Sequence, residues 1–72
     1  MGLIMTPYRD KNNKLIALDD KVVLDGLTFY VEINPFSGVI VVDGDTGQEA
    51  LRNVHKQVKI IQRGDVNYED NN

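Results

Sequence analysis

The chain has 72 residues, a formal net charge of −3 and no cysteine. A chain of this length forms one domain, and the lack of cysteine excludes disulfides and thiolate metal ligands. Histidine occurs once, at His55, so a zinc site would depend on carboxylates, and we expect neither a metal nor another cofactor. The acidic balance disfavours binding to nucleic-acid phosphates, which requires clustered Lys and Arg.

The composition changes along the chain and divides it into three parts. Residues 1–13 are predicted to form a partly ordered N-terminal extension, residues 14–62 a small β-barrel domain, and residues 63–72 an acidic, disordered tail. No stretch approaches the roughly 20 apolar residues of a membrane span, and the first residues lack the basic flank of a signal peptide. We therefore expect a cytoplasmic protein without membrane contacts.

The first half of the domain predicts a hairpin. Residues 10–13 are a polar cluster that predicts a turn, and the short apolar run 14–18 follows it. Apolar residues resume at 21–24 and lead into Asp25-Gly26, which favours a type I′ turn because both central residues of that turn need positive φ. Residues 27–33 then alternate between apolar and polar positions, as in a half-buried strand.

The second half predicts two turns and two further strands. Residues 34–38 form a turn with Phe36 at its tip, and we favour packing of Phe36 over the barrel end rather than exposure to a partner. Residues 39–42 are apolar throughout, which indicates a strand covered on both faces or an oligomer contact. After a turn at 43–47, residues 48–54 predict one helical or 3₁₀ turn or an irregular strand. Residues 56–62 predict the last strand, with Val58 and Ile60 inward.

These elements predict a mainly all-β fold. Four to five short strands with one short helical or 3₁₀ turn before the last strand favour a small SH3-like antiparallel barrel. The alternative is an open, twisted antiparallel sheet that pairs with a second copy. The apolar run 39–42 favours that alternative.

One resemblance follows from short motifs within residues 14–61. The apolar pair Leu15-Ile16, then Asp20-Lys21-Val22 and Asp25-Gly26, resembles the opening of small SH3-like proteins of phages and prophages, and Leu51 before residues 58–61 fits the same pattern. The chain departs from it at Asp19, where glycine is more common. The resemblance implies an origin on a mobile element and transfers no functional residue.

The main candidate site combines basic and aromatic residues. Small barrels hold nucleotides or single strands by aromatic stacking beside a cation. A ligand or partner site of this kind would comprise Tyr30, Phe36, Arg52, His55, Lys56 and Lys59. The more common reason for such a charge cluster is a solvated strand face.

Catalytic and metal sites are weaker candidates. Residues 43–47 suggest a calcium loop, but Gly47, Gln48 and Val54 occupy positions where an EF-hand loop needs a ligand, a glycine and a bidentate glutamate. His55 has no adjacent Ser or Cys nucleophile. The carboxylates that could serve acid–base chemistry flank turns, where aspartate is common: Asp19, Asp20 and Asp25.

The sequence therefore predicts a non-enzymatic interaction module, an accessory protein of a phage or prophage that binds a host or phage protein. One alternative is a homo-oligomer that binds a small anionic ligand such as a nucleotide signal. A second alternative, a nucleic-acid-binding barrel, is disfavoured by the negative charge.

Overall fold

A computed structural model describes residues 2–64 and shows a mainly β fold. The elements in chain order are β1 (Met5–Arg9), β2 (Leu15–Ala17), β3 (Lys21–Leu24), β4 (Leu27–Ile33), β5 (Ile40–Gly44), β6 (Gly47–Ala50), α1 (Leu51–Val54), a 3₁₀ turn (His55–Gln57) and β7 (Lys59–Gln62). β1 pairs with β2, and a five-stranded sheet has the order β6-β5-β4-β3-β7. All pairings are antiparallel. The predicted all-β class and the helical turn before the last strand are confirmed.

The predicted hairpin is formed by β3 and β4. Asp25 and Gly26 have φ of 53° and 80°, so both central residues lie in the left-handed region that a type I′ turn requires. Leu24 pairs with Leu27 beside the turn. Along β4, Phe29 and Val31 are buried and Tyr30 between them is exposed, which confirms the predicted alternation in the middle of the strand. At its two ends the prediction is wrong, because the apolar residues Leu27 and Ile33 are about half exposed.

β5 lies between β4 and β6, as expected for the apolar run. Val42 pairs with Val31 and both are fully buried. At the end of β5, a Cβ on Gly44 would lie 2.7 Å from Cδ2 of Phe29 and 2.8 Å from the Thr28 carbonyl oxygen. Glycine at this position therefore lets the Phe29 ring pack against the strand.

One hydrophobic core lies under the five-stranded sheet. Its buried members come from β2 to β5, from α1 and from the residue just before β7: Ile16, Val22, Leu24, Phe29, Val31, Val42, Leu51 and Val58. Leu51 is fully buried, so the short helix α1 covers part of this core. Val58 is buried and Ile60 partly buried against the core, as predicted. The last strand is shorter than the predicted 56–62, because Lys56 and Gln57 lie in the 3₁₀ turn and β7 begins at Lys59.

The prediction that Phe36 packs over the barrel end is wrong, because its side chain is 97% exposed. The turn is closed without it. Oδ1 of Asn34 accepts the N–H groups of Phe36 at 2.9 Å and Ser37 at 3.0 Å. The Asn34 N–H donates to the Val39 carbonyl at 2.8 Å, and Gly38 adopts a φ of 75°. These backbone bonds fix the turn and leave the aromatic ring pointing away from the core.

Two segments outside residues 14–62 contact the sheet domain. In the pair of β1 with β2, Met5 lies opposite Ala17 and Arg9 lies opposite Leu15. Thr6 Oγ1 donates to the Ile16 carbonyl at 2.8 Å. Arg63 and Gly64 both contact Asp20. The tail predicted to be disordered lies, from residue 65 onward, outside the described residues.

The five-stranded sheet is open in the described range. β6 and β7 form its two edges, and no hydrogen-bonded ladder joins them among residues 2–64. Over the same residues, no helix has the length and apolar character needed to cross a membrane.

Candidate functional site

We call β1, β2 and the turn that joins them the N-terminal hairpin. A cleft of about 480 Å³ opens between this hairpin and the 3₁₀ turn. We call it the basic cleft, and its lining residues are Pro7, Arg9, Asp10, Lys11, Asn13, His55 and Lys56. Its two walls are joined by hydrogen bonds across the chain. The Lys11 N–H donates to the Val58 carbonyl at 2.9 Å, and the His55 ring contacts the Arg9 carbonyl.

His55 has a fixed orientation in the wall of the basic cleft. Its Nδ1 lies 2.7 Å from the carbonyl oxygen of Arg9. Because a carbonyl oxygen only accepts, Nδ1 carries the hydrogen and donates it. The ring also lies against Tyr8, with 5.1 Å between ring centroids and a tilt of 41°. In the neutral ring, Nε2 is therefore the acceptor nitrogen, and in the charged ring it is a second donor.

Three cationic side chains surround the basic cleft. Arg9 Nη1 donates to the Asn13 carbonyl at 2.9 Å, which holds the guanidinium along the turn. Lys11 and Lys56 are both exposed. Within residues 2–64, the salt bridge is that between Arg63 and Asp20, so no described carboxylate pairs with a cation of the basic cleft.

The carboxylate of Asp10 is turned toward backbone donors. Asp10 is only 5% exposed. Its Oδ1 accepts the N–H groups of Asn12 and Lys14, both at 2.9 Å, and its Oδ2 accepts the N–H of Ile60 at 3.0 Å. Burial acts to raise the pKa of Asp10, but these three hydrogen bonds and the charge of Lys14 outweigh it, and the pKa lies below the usual value of 3.8.

That pKa direction links Asp10 to folding stability. A carboxyl whose pKa is lower in the folded state than in the unfolded state stabilises the fold when ionised. The stabilisation by Asp10 is thus complete above the unfolded pKa, and it is lost as the pH falls through the lower, folded pKa. At neutral pH, Asp10 is a structural anion that fastens the turn before β2 to β7.

The structure separates the predicted site residues onto different surfaces. His55 and Lys56 line the basic cleft. Arg52 lines a smaller neighbouring cleft together with Tyr8 and the chain just after the 34–38 turn. Because Tyr8 also contacts His55, the two clefts adjoin.

The remaining predicted residues lie elsewhere. Tyr30 lies opposite Lys21 and Asp43 on the outer face of the five-stranded sheet, and Lys59 lies opposite Val23 on that face. Phe36 projects from the turn between β4 and β5.

Sequence reasoning missed the N-terminal wall of the basic cleft. Its members Pro7, Arg9, Lys11 and Asn13 lie in the segment predicted to be an extension. The one sequence feature that pointed to this wall is the run of charged residues Arg9, Asp10 and Lys11 at the predicted turn. That run does not indicate contact with residues 55 and 56.

Charged and polar side chains make up most of the lining of the basic cleft. No serine or cysteine lines the basic cleft. Among residues 2–64, no three His, Cys, Asp or Glu side chains are grouped to hold a metal ion. The calcium interpretation of residues 43–47 gains no support, because Gly44 pairs with Gly47 around a two-residue hairpin turn.

In comparisons with known proteins, no family model, no curated protein and no solved structure matches this chain.

Proposed function

We propose that this chain is a non-enzymatic interaction module that binds a protein partner through the tip of the β4–β5 turn. The Phe36 tip comprises the exposed residues Ile33, Pro35 and Phe36. The observation that carries the proposal is a phenylalanine 97% exposed on a turn whose backbone is closed by hydrogen bonds.

The Phe36 tip is organised before any partner arrives. Besides the bonds that Asn34 makes within the turn, its Nδ2 donates to Oε1 of Gln48 on β6 at 2.9 Å. A preformed turn loses little conformational entropy on binding, so most of the gain from burying the ring is retained. Burial of one phenylalanine contributes about 1.5–3 kcal/mol, or roughly tenfold to a hundredfold in affinity.

Single exposed apolar residues are common on protein surfaces. Three features distinguish this one. Its neighbours Ile33 and Pro35 are also exposed, and a hydrogen bond joins its turn to β6. Aromatic residues are also enriched at protein interfaces. Together they support a contact surface at the Phe36 tip.

The fold subclass and the origin of the chain are also proposals. We propose an SH3-like sheet and a phage or prophage accessory protein whose partner is a host protein. The SH3-like assignment is supported by a 3₁₀ turn directly before β7 and by the return of β7 beside β3, the first strand of its sheet. The phage origin is supported by the sequence resemblance over residues 14–61.

The test compares Phe36→Ala with a matched control, Tyr30→Ala. Both variants remove an exposed aromatic ring, but Tyr30 lies on the outer face of the sheet. Each purified chain is used to capture proteins from a lysate of the host, and any stoichiometric partner is purified and titrated calorimetrically. We expect wild type and Tyr30→Ala to bind alike and Phe36→Ala to bind at least about tenfold more weakly.

Two results would overturn the proposal. One is a partner whose affinity for Phe36→Ala stays within about twofold of wild type. The other is the absence of any stoichiometric partner that wild type captures and Phe36→Ala loses. Sedimentation of the free chain tests whether a second copy binds at the Phe36 tip. Dimerisation that depends on Phe36 would make a second copy the partner.

A further inference from the structure

The basic cleft combines positive charge, defined donors and adequate volume on a protein of negative net charge. Arg9, Lys11 and Lys56 carry three positive charges against the single carboxylate of Asp10. Both oxygens of that carboxylate accept backbone N–H groups, so hydrogen bonds within the protein already stabilise its charge. The cleft therefore carries a local excess of positive charge on a chain whose formal net charge is −3.

Two side chains of the basic cleft are held in place before binding, and His55 offers a second N–H, on Nε2, in its charged form. Arg9 is anchored by one nitrogen to the Asn13 carbonyl, which leaves the other guanidinium N–H groups for a ligand. His55 is anchored by Nδ1 to the Arg9 carbonyl and by its ring face to Tyr8. Among residues 2–64, Nε2 of His55 makes no hydrogen bond with the protein. Anchored donors lose little freedom on binding, which favours a specific ligand over a diffuse ion cloud.

The size and the spread of charge indicate an extended anion. A volume of about 480 Å³ lies within the range of small-molecule sites, roughly 300–1,000 Å³. The cations come from the end of β1, the turn after it and the 3₁₀ turn, which favours an anion with several charged oxygens over a single carboxylate. Guanidinium groups also match the paired oxygens of a phosphate.

We infer that the basic cleft binds the oligophosphate group of a small molecule, with Arg9, Lys11 and Lys56 as its contacts and Nε2 of His55 as a further donor in the charged form of the ring. The shared chemistry is a chain of linked phosphates. It can come from inorganic triphosphate or from a nucleoside triphosphate. This site is separate from the Phe36 tip, and neither proposal depends on the other.

The experiment uses the single histidine of the chain as a reporter. In a tag-free protein, the imidazole C–H groups of His55 give one set of NMR signals, so no assignment is needed. Inorganic triphosphate, orthophosphate, adenosine triphosphate and adenosine are titrated at low ionic strength. We expect triphosphate to move the His55 signals with half-saturation below about 1 mM, at least about tenfold below orthophosphate.

Two double variants separate the cleft from overall charge. Lys11→Gln/Lys56→Gln removes two cations that line the basic cleft, whereas Lys21→Gln/Lys59→Gln removes two from the sheet. Both variants change the net charge equally. We expect the first to weaken triphosphate binding at least about tenfold and the second less than about threefold. The amide spectrum of each variant checks that it is folded.

The outcomes decide both the site and the source of the phosphate. Similar affinities for inorganic triphosphate and adenosine triphosphate support recognition of the phosphate chain alone, and tighter binding of the nucleotide supports an added nucleoside contact. Equal weakening in the two double variants, binding of adenosine alone, or no shift from either triphosphate would each overturn the inference.

Discussion

Replacement of Asp20 by asparagine tests the contact between the segment after β2 and the residues that follow β7, Arg63 and Gly64. Asp20 is 0% exposed. Its Oδ2 accepts the Ala17 N–H at 2.8 Å and its Oδ1 accepts the Gly64 N–H at 2.9 Å. Arg63 Nη1 lies 3.3 Å from Oδ2 and also donates to the Leu15 carbonyl at 3.0 Å. One carboxylate therefore connects three segments of chain.

The expected loss in the free energy of unfolding follows from the hydrogen bond that asparagine cannot accept. Its single oxygen can accept only one of the two backbone N–H groups, so its NH₂ group faces the other donor. A buried donor without an acceptor costs about 1–3 kcal/mol. Loss of the charge on Asp20 also removes the salt bridge with Arg63. We reduce the contribution of this salt bridge to the estimate, because Arg63 is 25% exposed and water can solvate part of its charge. The total is about 2–4 kcal/mol.

Urea denaturation followed by far-UV circular dichroism measures this loss. A domain of this size is stabilised by about 4–11 kcal/mol in total, so Asp20→Asn should lower the unfolding midpoint markedly. Asp19→Asn is the matched control because the neighbouring Asp19 is exposed and its φ of 69° suits asparagine as well. We expect the control to change stability by less than about 0.5 kcal/mol. Equal effects of the two variants would refute the assigned role of Asp20.

Four further predictions concern single positions. Asp10→Asn should lower the free energy of unfolding at pH 7 by about 1–3 kcal/mol. In urea titrations at successive pH values, that deficit should narrow as the pH falls below 3.8 and through the lower pKa of folded Asp10, because wild type then loses the stabilisation by its ionised carboxylate; a constant deficit would contradict the pKa direction. Gly44→Ala should cost about 1–3 kcal/mol in thermal unfolding, because its Cβ would overlap the Phe29 ring, and an unchanged melting temperature would show that the ring yields freely. Leu51→Ala should cost about 2–5 kcal/mol in chemical denaturation if α1 covers the core as described. Phe36→Ala should leave stability within about 0.5 kcal/mol of wild type, and a larger loss would mean that the ring packs in solution.

The parts of the fold that sequence predicts are those with local causes. Asp25-Gly26 determines its hairpin because few residues adopt positive φ, and the alternation along residues 27–33 follows from the two faces of a strand. Leu51 and Val58 flank the helical turn at positions that the pattern also indicated. Phe36 was mispredicted because hydrophobicity favours burial in general, whereas Asn34 satisfies this turn through its own side chain.

The candidate site depends on contacts that no local pattern contains. Residues 10–13 were predicted to be a turn, and they do form one, but the side chain of Asp10 also accepts the N–H of Ile60, fifty positions later. The sequence analysis explained Asp19 and Asp20 by the preference of aspartate for turns. That preference does not distinguish the exposed Asp19 from Asp20 and Asp10, which are buried.

Those two buried carboxylates explain how the basic cleft arises. Asp10 accepts an N–H from within β7, and Asp20 accepts the N–H of Gly64 just beyond it, so the N-terminal hairpin is fastened near both ends of the last strand. This docking brings the Arg9 carbonyl to His55 and the Lys11 N–H to the carbonyl of Val58. The cleft is therefore a consequence of hairpin docking. Asp20→Asn, which acts at the end of β7 away from the cleft lining, should then broaden or shift the His55 signals in the absence of any ligand, while Asp19→Asn should not. Unchanged His55 signals in Asp20→Asn would show that the contacts of Asp10 and Lys11 hold the cleft by themselves.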